Sequence, residues 1–111
     1  MSDKVIYKYR TGRPNEIVSG VLRSISQITR IDRISYFKIG ITNNPENRFR
    51  QAYAADYDKM LVVYQSASIK NVRELEYLLI EHNRELCDNI IAGGGGNYGE
   101  PPYYIYVVVR E

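Results

Sequence analysis

Polar and apolar residues alternate at the start of this chain, and the period then changes. Val5-Ile6-Tyr7-Lys8-Tyr9-Arg10 reads as a first strand. Beyond Thr11-Gly12-Arg13-Pro14, the residues Ile17, Val18, Val21, Leu22, Ile25 and Ile28 recur at helical spacing and predict a helix of about four turns. A second strand is expected from Arg33 to Thr42 and a second helix from Pro45 to about Ala55. Met60-Leu61-Val62-Val63-Tyr64-Gln65 predicts a third strand. The longest helix is expected from Asn71 to Leu86, with Asn71 as its cap and Glu74 at the capping-box position. Tyr103 to Val109 predicts a final strand after Pro101-Pro102. Strands at both ends with helices between imply an α+β fold, a small central mixed or antiparallel sheet flanked by helices. With no internal repeat or linker, the 111 residues are expected to form one domain, large enough for a modest core without staples.

Charge changes this picture more than composition does. The hydrophobic share of 44% and the charged share of 25% are ordinary for a soluble chain. The single cysteine, Cys87, rules out an internal disulfide and a cysteine-rich zinc site, and suits a reducing compartment as a small apolar filler. No run approaches the roughly 18 apolar residues of a membrane helix, and Met1-Ser2-Asp3-Lys4 opens no signal peptide. A cytoplasmic protein is expected. The net charge is only +2, yet residues 1–50 carry +6 and residues 51–111 carry −4. A basic N-terminal half is the footprint of a phosphate-backbone binder, or simply a set of solvated lysines and arginines.

Candidate chemistry gathers at one strand-to-helix junction, Tyr36-Phe37-Lys38-Ile39-Gly40-Ile41-Thr42 followed by Asn43-Asn44-Pro45-Glu46-Asn47-Arg48. Asn44 can cap the helix through its side-chain oxygen, and Pro45 suits the first helical position. Lys38 on the strand and Arg48 in the helix could then converge on one phosphate, for which the arginine fork is well shaped. The junction resembles the second motif of the GIY-YIG nuclease superfamily, in the subgroup that reads Lys-Ile-Gly-x-Thr before Pro-x-x-Arg. Leu75-Glu76-Tyr77-Leu78-Leu79-Ile80 resembles the third motif, a helix whose glutamate binds a metal ion. The resemblance spans Val5 to about Asn97 and implies a GIY-YIG-like sheet, here with an extra helix between the first two strands.

The resemblance also implies roles. Val5-Ile6-Tyr7 stands where the family has Gly-Ile-Tyr, so Tyr7 looks like the tyrosine that positions or deprotonates the attacking water. A phenol is a poor base unless a cation lowers its pKa, and Lys38 could be that cation. Tyr36, two residues before Lys38, is a weaker candidate. Arg48 would stabilise the phosphate, and Glu76 would hold Mg²⁺ or Mn²⁺. Helical projection sets Glu74, Glu81 and Glu85 on a solvated face and Glu76 at the border of the stripe Val72, Leu75, Leu79, His82 and Leu86. A lone carboxylate with waters and phosphate oxygens suits Mg²⁺; an inert pair with an arginine such as Arg48 is the alternative. His82 reads as a half-buried packing residue, and Tyr53 or Arg50 could replace the histidine that many members carry after the arginine. Gly93-Gly94-Gly95-Gly96 reads as a connector, with Asn97 a candidate brace. Arg10, Arg13, Arg23, Arg30 and Arg50 are the expected DNA-backbone contacts.

The expected function is therefore a small divalent-metal-dependent DNA endonuclease, expected to act as a homodimer, of a kind natural to phages or mobile elements. Its main alternative is a module of the same fold that binds nucleic acid or nucleotide without cutting. A protein-interaction or inhibitor role rests only on the acidic second half and the tyrosines.

Overall fold

The computed structural model describes residues 4–31, 36–82 and 99–110. Strand β1 (Val5–Arg10) leads into α1 (Pro14–Ile31), β2 (Tyr36–Thr42) and a short α2 (Pro45–Arg48). A π-helical turn (Phe49–Tyr53), β3 (Lys59–Ser66), α3 (Ile69–His82) and β4 (Tyr103–Arg110) follow. The sheet is mixed, in the order β1-β3-β4-β2. β1 runs parallel to β3, while β4 is antiparallel to both β3 and β2. The expected α+β architecture is present, with α1 inserted between the first two strands.

Side-chain alternation assigns each face its own core. On one face Phe37, Ile39, Ile41, Leu61, Val63, Ile105, Val107 and Val109 meet Val21 and Ile25 of α1 and Val72, Leu75, Leu79 and Ile80 of α3. On the other, Met60, Val62, Tyr106 and Val108 meet Val5, Phe49 and Tyr53. β3 and β4 are central strands buried on both sides, which is why Met60-Leu61-Val62-Val63 and Ile105-Tyr106-Val107-Val108-Val109 are nearly continuous apolar runs. Each such aliphatic side chain contributes roughly 1.5–3 kcal/mol on burial.

Several element boundaries differ from those the pattern predicts. α3 begins at Ile69, and its cap is Ser68 rather than Asn71: the Asn71 amide donates to Ser68 Oγ at 3.2 Å. A hydroxyl placed three residues before that amide satisfies an orphan donor, so the helix starts earlier than the apolar stripe suggests. His82 is exposed in the last turn, its Nδ1 2.8 Å from the Leu78 carbonyl, and does not continue the core stripe. Cys87, Asn97 and Gly93–Gly96 lie outside the described residues, as do the predicted first residues of β2.

The second helix changes most. It is α-helical for only four residues and then widens into the π turn. The Ala54 amide donates to the Phe49 carbonyl, five residues back, at 2.8 Å. Such widening is frequent at functional sites.

Candidate active site

The junction after β2 is built by local hydrogen bonds. The Asn44 amide donates to Thr42 Oγ1 at 3.1 Å, and the Asn47 amide donates to Asn44 Oδ1 at 3.1 Å. Pro45 occupies the first turn and is buried. Asn43 Nδ2 donates to the Glu100 carbonyl at 3.2 Å, tying the junction to the approach of β4. Gly99 accommodates this tie: its φ is +79°, and a Cβ there would lie 2.5 Å from Asn43 Nδ2. The sequence Thr-Asn-Asn-Pro thus sets the direction in which α2 presents Arg48.

Register places Tyr7 and Lys38 on two adjacent rows across the sheet. Tyr7 pairs with Val62, Val62 with Tyr106, and Tyr106 with Gly40. The neighbouring row runs Val5, Met60, Val108 and Lys38. Lys38 and Tyr7 therefore share the face covered by the π turn, the face opposite α1 and α3. They occupy opposite edges of the sheet, however. With strands about 4.8 Å apart, the β1 and β2 backbones are separated by about 14 Å.

Arg48 is fixed from below by two tyrosines. Its Nε donates to the Tyr106 hydroxyl at 3.4 Å, and its guanidinium carbon lies 5.7 Å from the centre of the Tyr53 ring. The Tyr53 and Tyr106 hydroxyls are 2.7 Å apart and buried. Arg48 and Tyr53 are five residues apart, a separation that leaves them about 140° apart round an α-helix but on one side of a π turn. Gly40 completes the arrangement: a Cβ there would stand 2.3 Å from the Tyr106 hydroxyl, so the ring lies where any larger residue would be. The glycine of Lys-Ile-Gly makes room for the tyrosine that holds the arginine.

The electrostatics follow from this packing. Hydrogen bonding to Tyr106 raises the Arg48 pKa further, so the guanidinium is a permanent cation. Burial, then the neighbouring Tyr53, push the Tyr106 phenol far above its usual range, which keeps it neutral. Tyr7 is 41% exposed, and its pKa is also raised, by burial first and then by Glu46 and Tyr104. The charged group that acts on Tyr7 is an anion, Glu46. Lys38 is not among the groups that shift the phenol, and β3 and β4 stand between the two strands that carry them.

Glu76 is placed elsewhere. It lies on α3, whose core layer is on the opposite face of the sheet from Tyr106 and Arg48. It is 4% exposed rather than at a surface border, and Oε1 has no hydrogen-bond partner among the described residues. Burial pushes its carboxyl up to about 7, with Arg73 acting in the opposite direction. An unpartnered buried oxygen is one a cation could satisfy. A magnesium ion held by a single carboxylate nevertheless keeps most of its waters, and Glu76 is almost wholly buried. Among the described residues, no three His, Cys, Asp or Glu side chains group as metal ligands. The arrangement does not fit an ion shared between Glu76 and a phosphate at Arg48.

The expected DNA-contact arginines divide between the two faces. Arg50 is exposed beside Arg48 and donates from Nη2 to Asn47 Oδ1 at 2.9 Å. Arg10 lies against α1, its guanidinium carbon 2.9 Å from where a Gly20 Cβ would be. Arg13 is exposed just before α1 and Arg23 is exposed on it, while the Arg30 side chain is outside the described residues. Lys38, Arg48 and Arg50 share the site face; Arg10 and Arg23 belong to the α1 side. Tyr106 has no motif that marks it, since only its register opposite Gly40 gives it a role.

The T5orf172 domain family matches residues 10–93. The chain belongs to this family. This is a DNA-binding, nuclease-like domain family, and membership suggests nucleic-acid binding. The matched span includes Lys38, Arg48, Tyr53 and Glu76, whereas Tyr7 and the β4 tyrosines lie outside it. No curated protein and no solved structure matches the chain. Among the described residues, no helix is long and apolar enough to cross a membrane.

Proposed function

We propose that this T5orf172 domain is a DNA endonuclease of the GIY-YIG type, acting on a backbone phosphate held at Arg48 and Lys38. The observation that carries the reading is the anchoring of Arg48. Its Nε is bound to a buried, neutral Tyr106, and its exposed guanidinium stands on the same face as Lys38. Fixing an arginine before substrate arrives removes the ordering cost of a long side chain and aims its charge at the phosphate. Lys38 adds a second positive charge from the edge strand. Tyr7, which stays protonated at neutral pH, can orient a water by hydrogen bonding but does not act as its base.

A second reading, a module that holds the phosphate without cutting it, is favoured by two observations. Glu76 lies across the sheet, and Glu46 rather than a cation neighbours Tyr7. One experiment separates the readings. Nicking of supercoiled plasmid is followed with Mg²⁺, with Mn²⁺ and with excess chelator, alongside DNA binding by fluorescence anisotropy. A nuclease nicks under at least one of these conditions and loses cleavage in Arg48→Lys, which keeps the charge but not the fork. If wild type binds DNA and never cuts under any of these conditions, the binding module stands and the endonuclease reading fails.

A further inference from the structure

The π turn leaves part of the site face open towards β1, and this part carries three tyrosine rings. Tyr7 and Tyr9 are 41% and 42% exposed, two residues apart on the edge strand. The Tyr9 ring meets Tyr104 of β4 edge-on, with centroids 6.0 Å apart and planes at 73°. The Tyr104 hydroxyl accepts from Gln65 Nε2 at 3.2 Å, which holds that ring from the neighbouring strand β3. Tyr104 is close enough to Tyr7 to be one of the groups that raise the Tyr7 pKa. Exposed apolar residues scattered singly need no explanation, but these adjoin one another and the Arg48 site.

Charge decides what this surface can accept. Glu46 stands beside Tyr7, so a phosphate is repelled from the β1 end and attracted to the Arg48 end. The uncharged face of a base has no such conflict. β1 lies about 10 Å from β4, on which Arg48 is anchored, so one nucleotide can lie with its phosphate at the arginine and its base towards the rings. Bases within a duplex are stacked on both sides and offer no free face; an unpaired base does.

We infer that Tyr7, Tyr9 and Tyr104 form a stacking platform for an unpaired nucleotide of DNA whose phosphate is held at Arg48 and Lys38. The inference rests on the proposed phosphate site and gives it a substrate class, DNA with unpaired bases. Sequence tolerance is expected, because every base has a face to stack.

The test compares anisotropy of a short fluorescein-labelled oligothymidylate with that of a long labelled duplex at the same ionic strength. Wild type should bind the oligothymidylate more tightly. Tyr9→Ala should weaken oligothymidylate binding about 5- to 150-fold while changing duplex binding by no more than about twofold. Tyr9→Phe, which keeps the ring, should bind both probes like wild type. Tyr9 is exposed, and unchanged circular dichroism would confirm that the variants are folded. Equal losses on both probes in Tyr9→Ala, or no loss on oligothymidylate, would overturn the platform. Arg48→Ala should weaken both probes, and if it does so while Tyr9→Ala has no effect, the phosphate site survives alone. Failure of wild type to bind either probe would remove the proposed function and the platform together.

Discussion

On the face covered by α1 and α3, whose core is mainly aliphatic, Glu76 is buried with an oxygen that no donor among the described residues satisfies. On the opposite face, Arg48 is exposed at the edge of a core that includes Tyr53 and Tyr106, whose hydroxyls receive it. Both groups are ionisable and both come from motifs that resemble catalytic ones. The difference lies in what surrounds them. Valine and leucine supply packing and no polar contact, so the carboxyl is driven towards its neutral form. Tyrosine supplies packing and a hydrogen bond together, so a charge can be positioned without being buried. In this small sheet, one face serves stability and the other is equipped for a ligand.

The sharpest way to break that comparison is a pair of truncations. Leu79→Ala, in the aliphatic core, should cost about 2–5 kcal/mol in urea denaturation and leave the activity of the folded fraction intact. Arg48→Ala should change stability by less than about 1 kcal/mol while lowering any cleavage on the order of 10²–10³-fold. A large stability loss in Arg48→Ala would show that the arginine is structural and that the two faces do not divide the work.

Next in size is the pH dependence of Glu76. Its folded pKa of about 7 lies above the ordinary 4.5, so the folded state binds the extra proton. The associated stability is fully present below about pH 4.5 and is lost as pH rises through about 7, a span of roughly 3 kcal/mol. Denaturation series across this range should slope downward with rising pH in wild type and be flatter in Glu76→Gln. A wild-type curve that rises across the same window would mean that Glu76 is ionised and paired in the folded protein.

A smaller effect sharpens the account of the polar face. Gly40→Ala places a methyl group where the Tyr106 ring lies, and should cost about 1–3 kcal/mol with a parallel loss of DNA affinity as Arg48 loses its anchor. Loss of stability with undiminished binding would show that Arg48 does not depend on Tyr106. The smallest expected change is Ser68→Ala, at about 1 kcal/mol by thermal unfolding with binding unaltered. It probes the α3 cap and should leave the site face untouched.

Much of the fold was legible from residue pattern. β1, β3 and β4 end within a residue of where alternation puts them, and Asn44-Pro45 starts α2 as capping chemistry predicts. The site was legible in part. Lys38 and Arg48 were recognisable from the junction motif, and they do share a face. The position of Glu76 was not, because helical projection gives its angle round α3 and leaves open which side of the sheet α3 covers. The arginines show the same limit: Arg23 and Arg50 look alike in a charge count yet stand on opposite sides of the molecule.

The sequence by itself determined which segments are strands and where most helices lie, that Asn44-Pro45 starts α2, and that a cation follows Gly40 through a tight junction. Those properties depend on residues within a few positions of one another, through backbone sterics and local hydrogen bonds. Tertiary structure alone decided that β1 and β2 become opposite edges, that Tyr106 lies over Gly40, and that a π turn brings Tyr53 beside Arg48. Arg48 and Tyr106 are 58 positions apart. Contact between them is set by strand register, where a slip of one residue would turn Tyr106 to the other face. That register is chosen by the packing of two whole cores at once, and no local pattern encodes it.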